Sequence, residues 1–380
     1  SNAKSLSFLP LCHVYERMII YLYTYTGVSF YFAESMDTIG DNLKEVKPHV
    51  FTAVPRLLEK IYDKIVAKGK ELKGIKKMMF FWALELGLQY DVKGKSAFYK
   101  FQLSIANKLI FSKWRAALGG NTRVVSSGSA ALQPRLARVF LAAKIPVMEG
   151  YGLTETSPVV SVNCADNDGI RIGTVGRPLN NVEVKIAEDG EIVVKGPNVM
   201  LGYYNKEDAT KEVLKDGWFH TGDIGRIEGD NFLRITDRKK EIFKTSGGKY
   251  IAPQLMENKF KESLFIEQIM VIGEMQKHPS ALIQVAFEHL REWCKRKNIP
   301  YTTNDQMINN EEVVKRIGRE IQHYNSQFAK YEQLKKFKLT PEAWSIDGGE
   351  LTPTLKLRRK EILKKYRSLY EEIYGSPDDI

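Results

Sequence analysis

The sequence predicts an α/β large domain that leads into a small β subdomain and then into a small α+β C-terminal domain. Three observations predict it. Apolar runs at 50–54, 123–126 and 145–148 each stop at a proline or feed a glycine loop, with helically spaced apolar residues between them. From about Ile170 the texture changes to short alternating strands, as in 182–186 and 191–194 around an Asp189-Gly190 turn, which is a hairpin signature. Beyond residue 242, strand-like runs at 267–272 and 281–287 mix with helical spacing at 253–260, 290–297 and 313–328.

The elements follow in order. The longest uncharged run, Met18 to Ala33, is broken by Thr24, Thr26, Gly27 and Ser29. It falls short of the ~20 apolar residues that a membrane-spanning helix needs and reads as a buried helix running into a strand. After Pro55, residues Leu57, Leu58, Ile61, Tyr62, Ile65 and Val66 recur at helical spacing. A second helical stretch covers 75–118, with Trp82/Leu86 and Phe101/Ile105/Leu109 on repeating faces, and most of its aromatics read as core. Leu136, Val139, Phe140 and Ala143 mark the helix between the next two strands. Residues 232–236 close the β subdomain, and the charged stretch 296–336 reads as a surface insertion.

Composition narrows the classes. At 380 residues with 43% apolar content the chain can build about two cored domains. Cys12, Cys164 and Cys294 are too widely spaced for a metal cluster or a disulfide framework, which points to a reducing, cytoplasmic setting without a signal peptide. The net charge of +11 suits a lysine-rich solvated surface. It also suits peripheral contact with anionic lipid at the inner face of a membrane, and polyanionic substrates. No nucleic-acid module is visible, so no nucleic-acid partner is expected.

Chemistry concentrates in Glu149-Gly150-Tyr151-Gly152-Leu153-Thr154-Glu155-Thr156. A strand ends there in glycines that let backbone approach a ligand, followed by an aromatic ring, a hydroxyl and a carboxylate able to hold a hard cation. The segment resembles the adenylate-forming enzymes, which include the acyl-CoA synthetases. Five further segments resemble the same family. These are 9–17 with His13, 126–132 with Gly128-Ser129-Ala130, 217–223 with Asp223, 237–244 with Arg238 and Lys240, and 351–358 with Lys356. The first of them is worded like the long-chain fatty acid members.

The resemblance implies the C-terminal part of a longer long-chain fatty acid–CoA ligase. Residues 1–3 look like an expression-tag remnant, and 4–165 would be the rear of the large domain, with a helical insertion at about 57–118. Residues 166–237 would be the β subdomain, 238–241 a hinge and 242–380 a mobile C-terminal domain. No phosphate loop ending in Pro-Lys-Gly precedes residue 9, so little or no activity is expected of this piece alone. An open sheet edge also leaves a homodimer open.

ATP, Mg²⁺ and CoA are the implied small molecules, with a fatty acid as the acyl substrate. Gly128, Ser129, Ala130, Gly150, Tyr151 and Gly152 would frame adenine, and Asp223, Ile235 and Arg238 the ribose side. Thr154 would bond phosphate, Glu155 the metal, and His13 would lie near the reacting carboxylate. Lys356 would be the adenylation lysine, Lys240 the hinge, and Lys244 with Gly247 and Gly248 would face CoA. The basic neighbours Arg358, Arg359, Lys360, Lys364, Lys365 and Arg367 read as a solvated helix face. Two other readings are an adenylate-forming enzyme with a different acceptor, such as an acyl carrier protein, and a non-catalytic acyl- or nucleotide-binding relative.

Overall fold

A computed structural model describes residues 2–35, 37–165, 168–352 and 355–375. The chain separates into two compact units, residues 1–221 with 225–235, and residues 222–224 with 236–380.

The first unit is built on a seven-stranded sheet ordered β2-β1-β3-β4-β5-β6-β7. Its strands are β1 (Lys4–Ser7), β2 (Ser29–Phe32), β3 (Val50–Ala53), β4 (Val124–Ser127), β5 (Val147–Gly152), β6 (Val159–Val162) and β7 (Arg177–Pro178). Strands β2 through β5 pair in parallel, and β6 and β7 extend the sheet antiparallel. Helices α1 (Val14–Thr26), α2 (Ile39–Val46), α3 (Pro55–Glu71), α4 (Gly74–Leu88), α5 (Ala97–Ala106), α6 (Ser112–Ala117) and α7 (Pro134–Ala142) flank it, with a π turn at Asn107–Phe111. Pro55 opens α3 where its missing N–H costs nothing. The core joins Leu6, Phe51 and Val125 of the strands to Leu58, Phe111, Trp114, Leu136 and Phe140 of the helices.

Next come β8 (Glu183–Ile186), β9 (Glu191–Lys195), α8 (Glu207–Val213), β10 (Leu214–Lys215), β11 (Trp218–Glu228) and β12 (Phe232–Arg238). They form a β10-β11-β9-β8 sheet, with β12 also paired to β11.

The second unit contains β13 (Phe243–Lys244), β14 (Tyr250–Ile251), α9 (Pro253–Phe260), β15 (Ile266–Ile272), β16 (Ser280–Val285), α10 (Phe287–Lys297), α11 (Asn304–Asn309) and α12 (Glu311–Asn325). β17 (Phe337–Thr340), α13 (Arg359–Lys365) and α14 (Arg367–Tyr374) follow. β15 and β16 are antiparallel, and β17 joins β16 in parallel.

Four expectations change. The run from Met18 to Ala33 is a helix and a strand but not a buried pair: α1 buries Ile19 and Tyr23 and leaves Tyr25 91% exposed, and Phe32 is 60% exposed because β2 is the edge strand. The 75–118 stretch is three helices and a π turn, and Phe101, Ile105 and Leu109 face solvent while Tyr99, Phe111 and Trp114 take the core positions. The 296–336 stretch is not a surface insertion. Met307, Ile308, Val313, Ile317 and Ile321 are buried in the second unit's core, an apolar stripe hidden among charges. Nor is the basic segment after Lys356 uniformly solvated, as the site shows below. Among the described residues no helix is long and apolar enough to cross a membrane.

Leu136 is fully buried, and Leu136→Ala is expected to cost about 2–5 kcal/mol. Denaturant unfolding should show the first unit's transition moving to lower denaturant while the second unit's holds. An unshifted transition would contradict this packing.

Candidate active site

In the first unit, parallel pairing brings the C-terminal ends of β1, β3, β4 and β5 to one edge of the sheet. Open α/β sheets bind ligands at that edge. Three of the expected segments leave the sheet there: the loop through His13, the strip from Gly128 to Ala130, and Gly150 to Glu155.

His13 is exposed and caps α1 in an extended conformation, its N–H donating to the Pro10 carbonyl at 3.0 Å. Three residues on, Glu16 is buried. Ser7 Oγ donates to it at 2.6 Å and Thr52 Oγ1 at 2.5 Å, tying α1 to β1 and β3. Burial pushes its pKa up, against these two hydrogen bonds. Tyr15 donates to Ser126 Oγ at 2.7 Å, and its ring lies where a Cβ on Gly128 would come within 3.3 Å. Segments 111 residues apart are thereby held together. Ser129 turns the strip with a left-handed φ of 71°.

Glu149 joins that strip to the next strand. Its side chain is buried and accepts the Leu132 N–H at 2.9 Å. Burial raises its pKa to about 7, with the Leu132 bond and Arg234 opposing. At Gly152 a Cβ would sit 1.8 Å from the Pro158 carbonyl, so no larger residue fits this backbone. Thr154 is exposed on the 3₁₀ turn Thr154–Thr156, beside a half-buried Glu155. Tyr203 donates to Glu155 Oε1 at 2.9 Å, and the Glu155 carbonyl accepts the Met200 N–H at 2.8 Å. Burial and that carboxylate push the Tyr203 pKa to about 12. Tyr151 packs among Val160, Val175, Ile192, Val194 and Leu233, with only 9% of its surface exposed, and Ile235 packs on the same cluster.

Among the described residues no three His, Cys, Asp or Glu side chains could hold a metal on their own. Glu155 offers a single carboxylate beside an exposed hydroxyl. That fits a magnesium ion, which keeps water and phosphate oxygens in most of its shell.

In the second unit Asp223 is buried and pairs with Arg238, Nε to Oδ1 at 3.2 Å. Lys356 lies in their field. Its side chain reaches solvent, yet the protein atoms packed around the ammonium hold its pKa down, and the Arg238 charge adds to this. Asp223 and Glu241 oppose it. The lysine loop closes through Thr352, whose Oγ1 accepts the Lys356 N–H at 3.0 Å and whose N–H donates to the Lys356 carbonyl at 2.9 Å. Pro353 and Thr354 lie outside the described residues.

Arg359 is not part of a solvated face. Its Nη2 bonds both Glu257 oxygens at 2.6 and 2.7 Å, and its Nε reaches Glu241 at 3.0 Å. Lys365 likewise bonds Glu350 at 2.5 Å and pairs with Glu342. At the expected hinge, buried Asp237 accepts the N–H groups of Arg238 at 2.6 Å and Gln254 at 3.0 Å. Burial, with Glu257 and Glu241 nearby, raises its pKa to about 7 against these hydrogen bonds. Lys240 is exposed, Lys244 lies over the Tyr250 ring at 5.5 Å, and Gly248 takes a φ of 80° beside an unobstructed Gly247.

Sequence reasoning assigned no role to Tyr15, Glu16, Glu149, Tyr203, Glu257 or Arg359. Their partners are remote in sequence. The one available signal was a carboxylate within an apolar strand, at Glu149.

A carboxyl whose pKa is raised on folding stabilises the protein below its unfolded value, and this contribution is lost as pH rises through the folded value. For Glu149 that window runs from its ordinary 4.5 to about 7. Glu149→Gln keeps an acceptor for Leu132 without a charge, so it should flatten the decline in stability. Urea unfolding at about pH 5 and about pH 8 checks this. Equal declines in the two proteins would refute it.

Comparison with known proteins agrees with this architecture. Residues 1–204 match the AMP-binding enzyme family, and residues 240–378 match the AMP-binding enzyme C-terminal domain. A long-chain-fatty-acid–CoA ligase of Mycobacterium bovis is 36% identical over 98% of this chain and 62% of its own length. Long chain acyl-CoA synthetase 4 of Arabidopsis thaliana is 34% identical over 97% of this chain and 58% of its own. The chain thus spans about three fifths of the curated relatives it matches. Among solved structures, the adenylation domain of a carboxylate reductase from Mycobacterium chelonae superposes with a TM-score of 0.74 at 20% identity, covering 99% of this chain and 54% of that one. o-Succinylbenzoate CoA synthetase from Bacillus subtilis, in complex with its acyl-adenylate intermediate, gives 0.65 at 19% identity, covering 95% and 60%. These likenesses establish the fold, and the matched sequence establishes the family: the chain belongs to the AMP-binding enzymes.

Proposed function

We propose that this chain forms the C-terminal part of an AMP-forming long-chain fatty acid–CoA ligase. The observation that carries this reading is the grouping of Asp223, Arg238 and Lys356, a buried carboxylate with two cations in its field. A passive acyl or nucleotide binder has no need of that lysine. The long-chain ligases that match nearly the whole chain support it.

The reaction has two steps. A fatty carboxylate oxygen attacks the α-phosphorus of ATP, and the bond to the bridging oxygen breaks to release pyrophosphate. The CoA thiol then loses its proton, attacks the acyl carbonyl and expels AMP. Adenylation replaces hydroxide with a good leaving group, so the protein's task is positioning and charge neutralisation.

Lys356 and Arg238 would take the negative charge that gathers between carboxylate and α-phosphate. The buried Asp223 carboxylate would accept the ribose hydroxyls. Thr154 would donate to phosphate. Magnesium bound through Glu155 would neutralise phosphate oxygens, with Tyr203 steadying the carboxylate. Gly128, Ser129 and Ala130 would leave room for a flat ring. Tyr151, being largely buried, would offer adenine little more than the accessible part of its ring. His13 would stand near the acyl carboxylate. Alternation about Lys240 would withdraw Lys356 after the first step and bring in Lys244, with Gly247 and Gly248 facing CoA.

In the longer parent enzyme, Lys356→Ala should slow acyl-adenylate formation about a hundredfold or more, the scale of losing one charge-stabilising group. Thioester formation from supplied acyl-adenylate should survive. Equal loss of both steps would remove Lys356 from the adenylation role.

A further inference from the structure

We propose that Phe98, Phe101, Ile105 and Leu109 form a docking surface for an anionic lipid membrane. The four residues recur at intervals of three, four and four along α5 and the π turn, which places them on one face. They are 69%, 63%, 37% and 42% exposed. Singly exposed apolar side chains are ordinary, but a run of four with two phenylalanines is not.

The stripe is fixed outward by what lies on the opposite face. Tyr99 donates to the Leu86 carbonyl at 2.6 Å, Asn107 donates to the Ala142 carbonyl at 2.8 Å, and Ala106 and Phe111 are fully buried. Rotating the helix to hide the phenylalanines would break all of these. The neighbouring α4 adds exposed Ile75 and Met78 among Lys73, Lys76 and Lys77.

Charge selects the partner. Between Asp91 and Glu149 the chain holds ten lysines and arginines and not one acidic residue. Lys100, Lys108 and Lys113 are exposed beside or just beyond the stripe, and none takes part in an ion pair among the described residues. Cations around an apolar face match anionic headgroups over acyl chains. A second copy of this chain would set like charges against each other, and nucleic acid offers no apolar phase for Phe98 and Phe101. This surface goes beyond the proposed ligase activity and does not depend on it.

The test is co-sedimentation of the protein with vesicles of phosphatidylcholine containing about one-third phosphatidylglycerol, against phosphatidylcholine alone, in low and high salt. Binding to the anionic vesicles should be about tenfold stronger or more and should weaken with salt. Phe98→Ser/Phe101→Ser, which leaves the core intact, should cut it about tenfold with an unchanged far-UV spectrum. Lys100→Glu/Lys108→Glu/Lys113→Glu should erase the preference for anionic lipid. No binding, equal binding to both vesicles, or undiminished binding by the phenylalanine variant would overturn the proposal. So would self-association that the phenylalanine variant abolishes, which would assign the stripe to a second copy. Binding by this chain but not by the longer parent would assign it to an internal contact.

Discussion

A carboxylate leaves water only if protein donors replace its hydration or a proton removes its charge. Among the described residues this chain repeatedly buries one beside a loop of the candidate site, and four cases show how. Glu16 takes two hydroxyl donors and fixes the start of α1, where His13 stands. Glu149 takes the Leu132 N–H and ties the loop after the Gly128–Ala130 strip to the strand that carries Tyr151 and leads to Glu155. Asp237 takes two backbone N–H groups at the expected hinge. Glu257 takes the Val271 N–H and, on both its oxygens, Nη2 of Arg359, three residues beyond Lys356. Satisfying each buried acid sets the position of a loop that loop entropy would otherwise leave loose.

The four differ in how they meet the cost. Glu257 has a full cation, and removing Arg359 would strand a buried charge, the costly case for ion pairs. Glu149 and Asp237 have only N–H donors in contact, and burial lifts both to about 7. Burial thus holds the anchors of the strip and of the expected hinge well above the ordinary carboxylate range, while the anchor near the lysine loop is ion-paired. Lys356 sits at the other extreme, a cation pressed down by its surroundings and by Arg238. The charge that suits a developing anion is thus held by an adjacent, firmly paired scaffold.

Much of the fold was legible because it is written in local periodicity. The strands β3, β4 and β5 end at proline or glycine, and the 182–194 hairpin carries its own turn. What stayed hidden depends on distant partners. β1 and β17 are four-residue strands that only the sheet defines. The helical spacing at 313–328 was legible, but the burial of Val313, Ile317 and Ile321 was masked in a window dominated by lysine, glutamate and arginine. Arg359 looks like any basic helix residue until Glu257, 102 residues away, is folded against it. For the candidate site, motif wording located the loops, and no wording could show which buried acids hold them or that Tyr151 is largely enclosed.

The most direct measurement is fatty-acid-dependent AMP release in the presence of CoA, from the longer parent and from this chain side by side. The account predicts AMP from the parent with long-chain fatty acids and little or none from this chain alone. Silence from the parent across carboxylates of every length would contradict it and leave a nucleotide- or acyl-binding relative in its place.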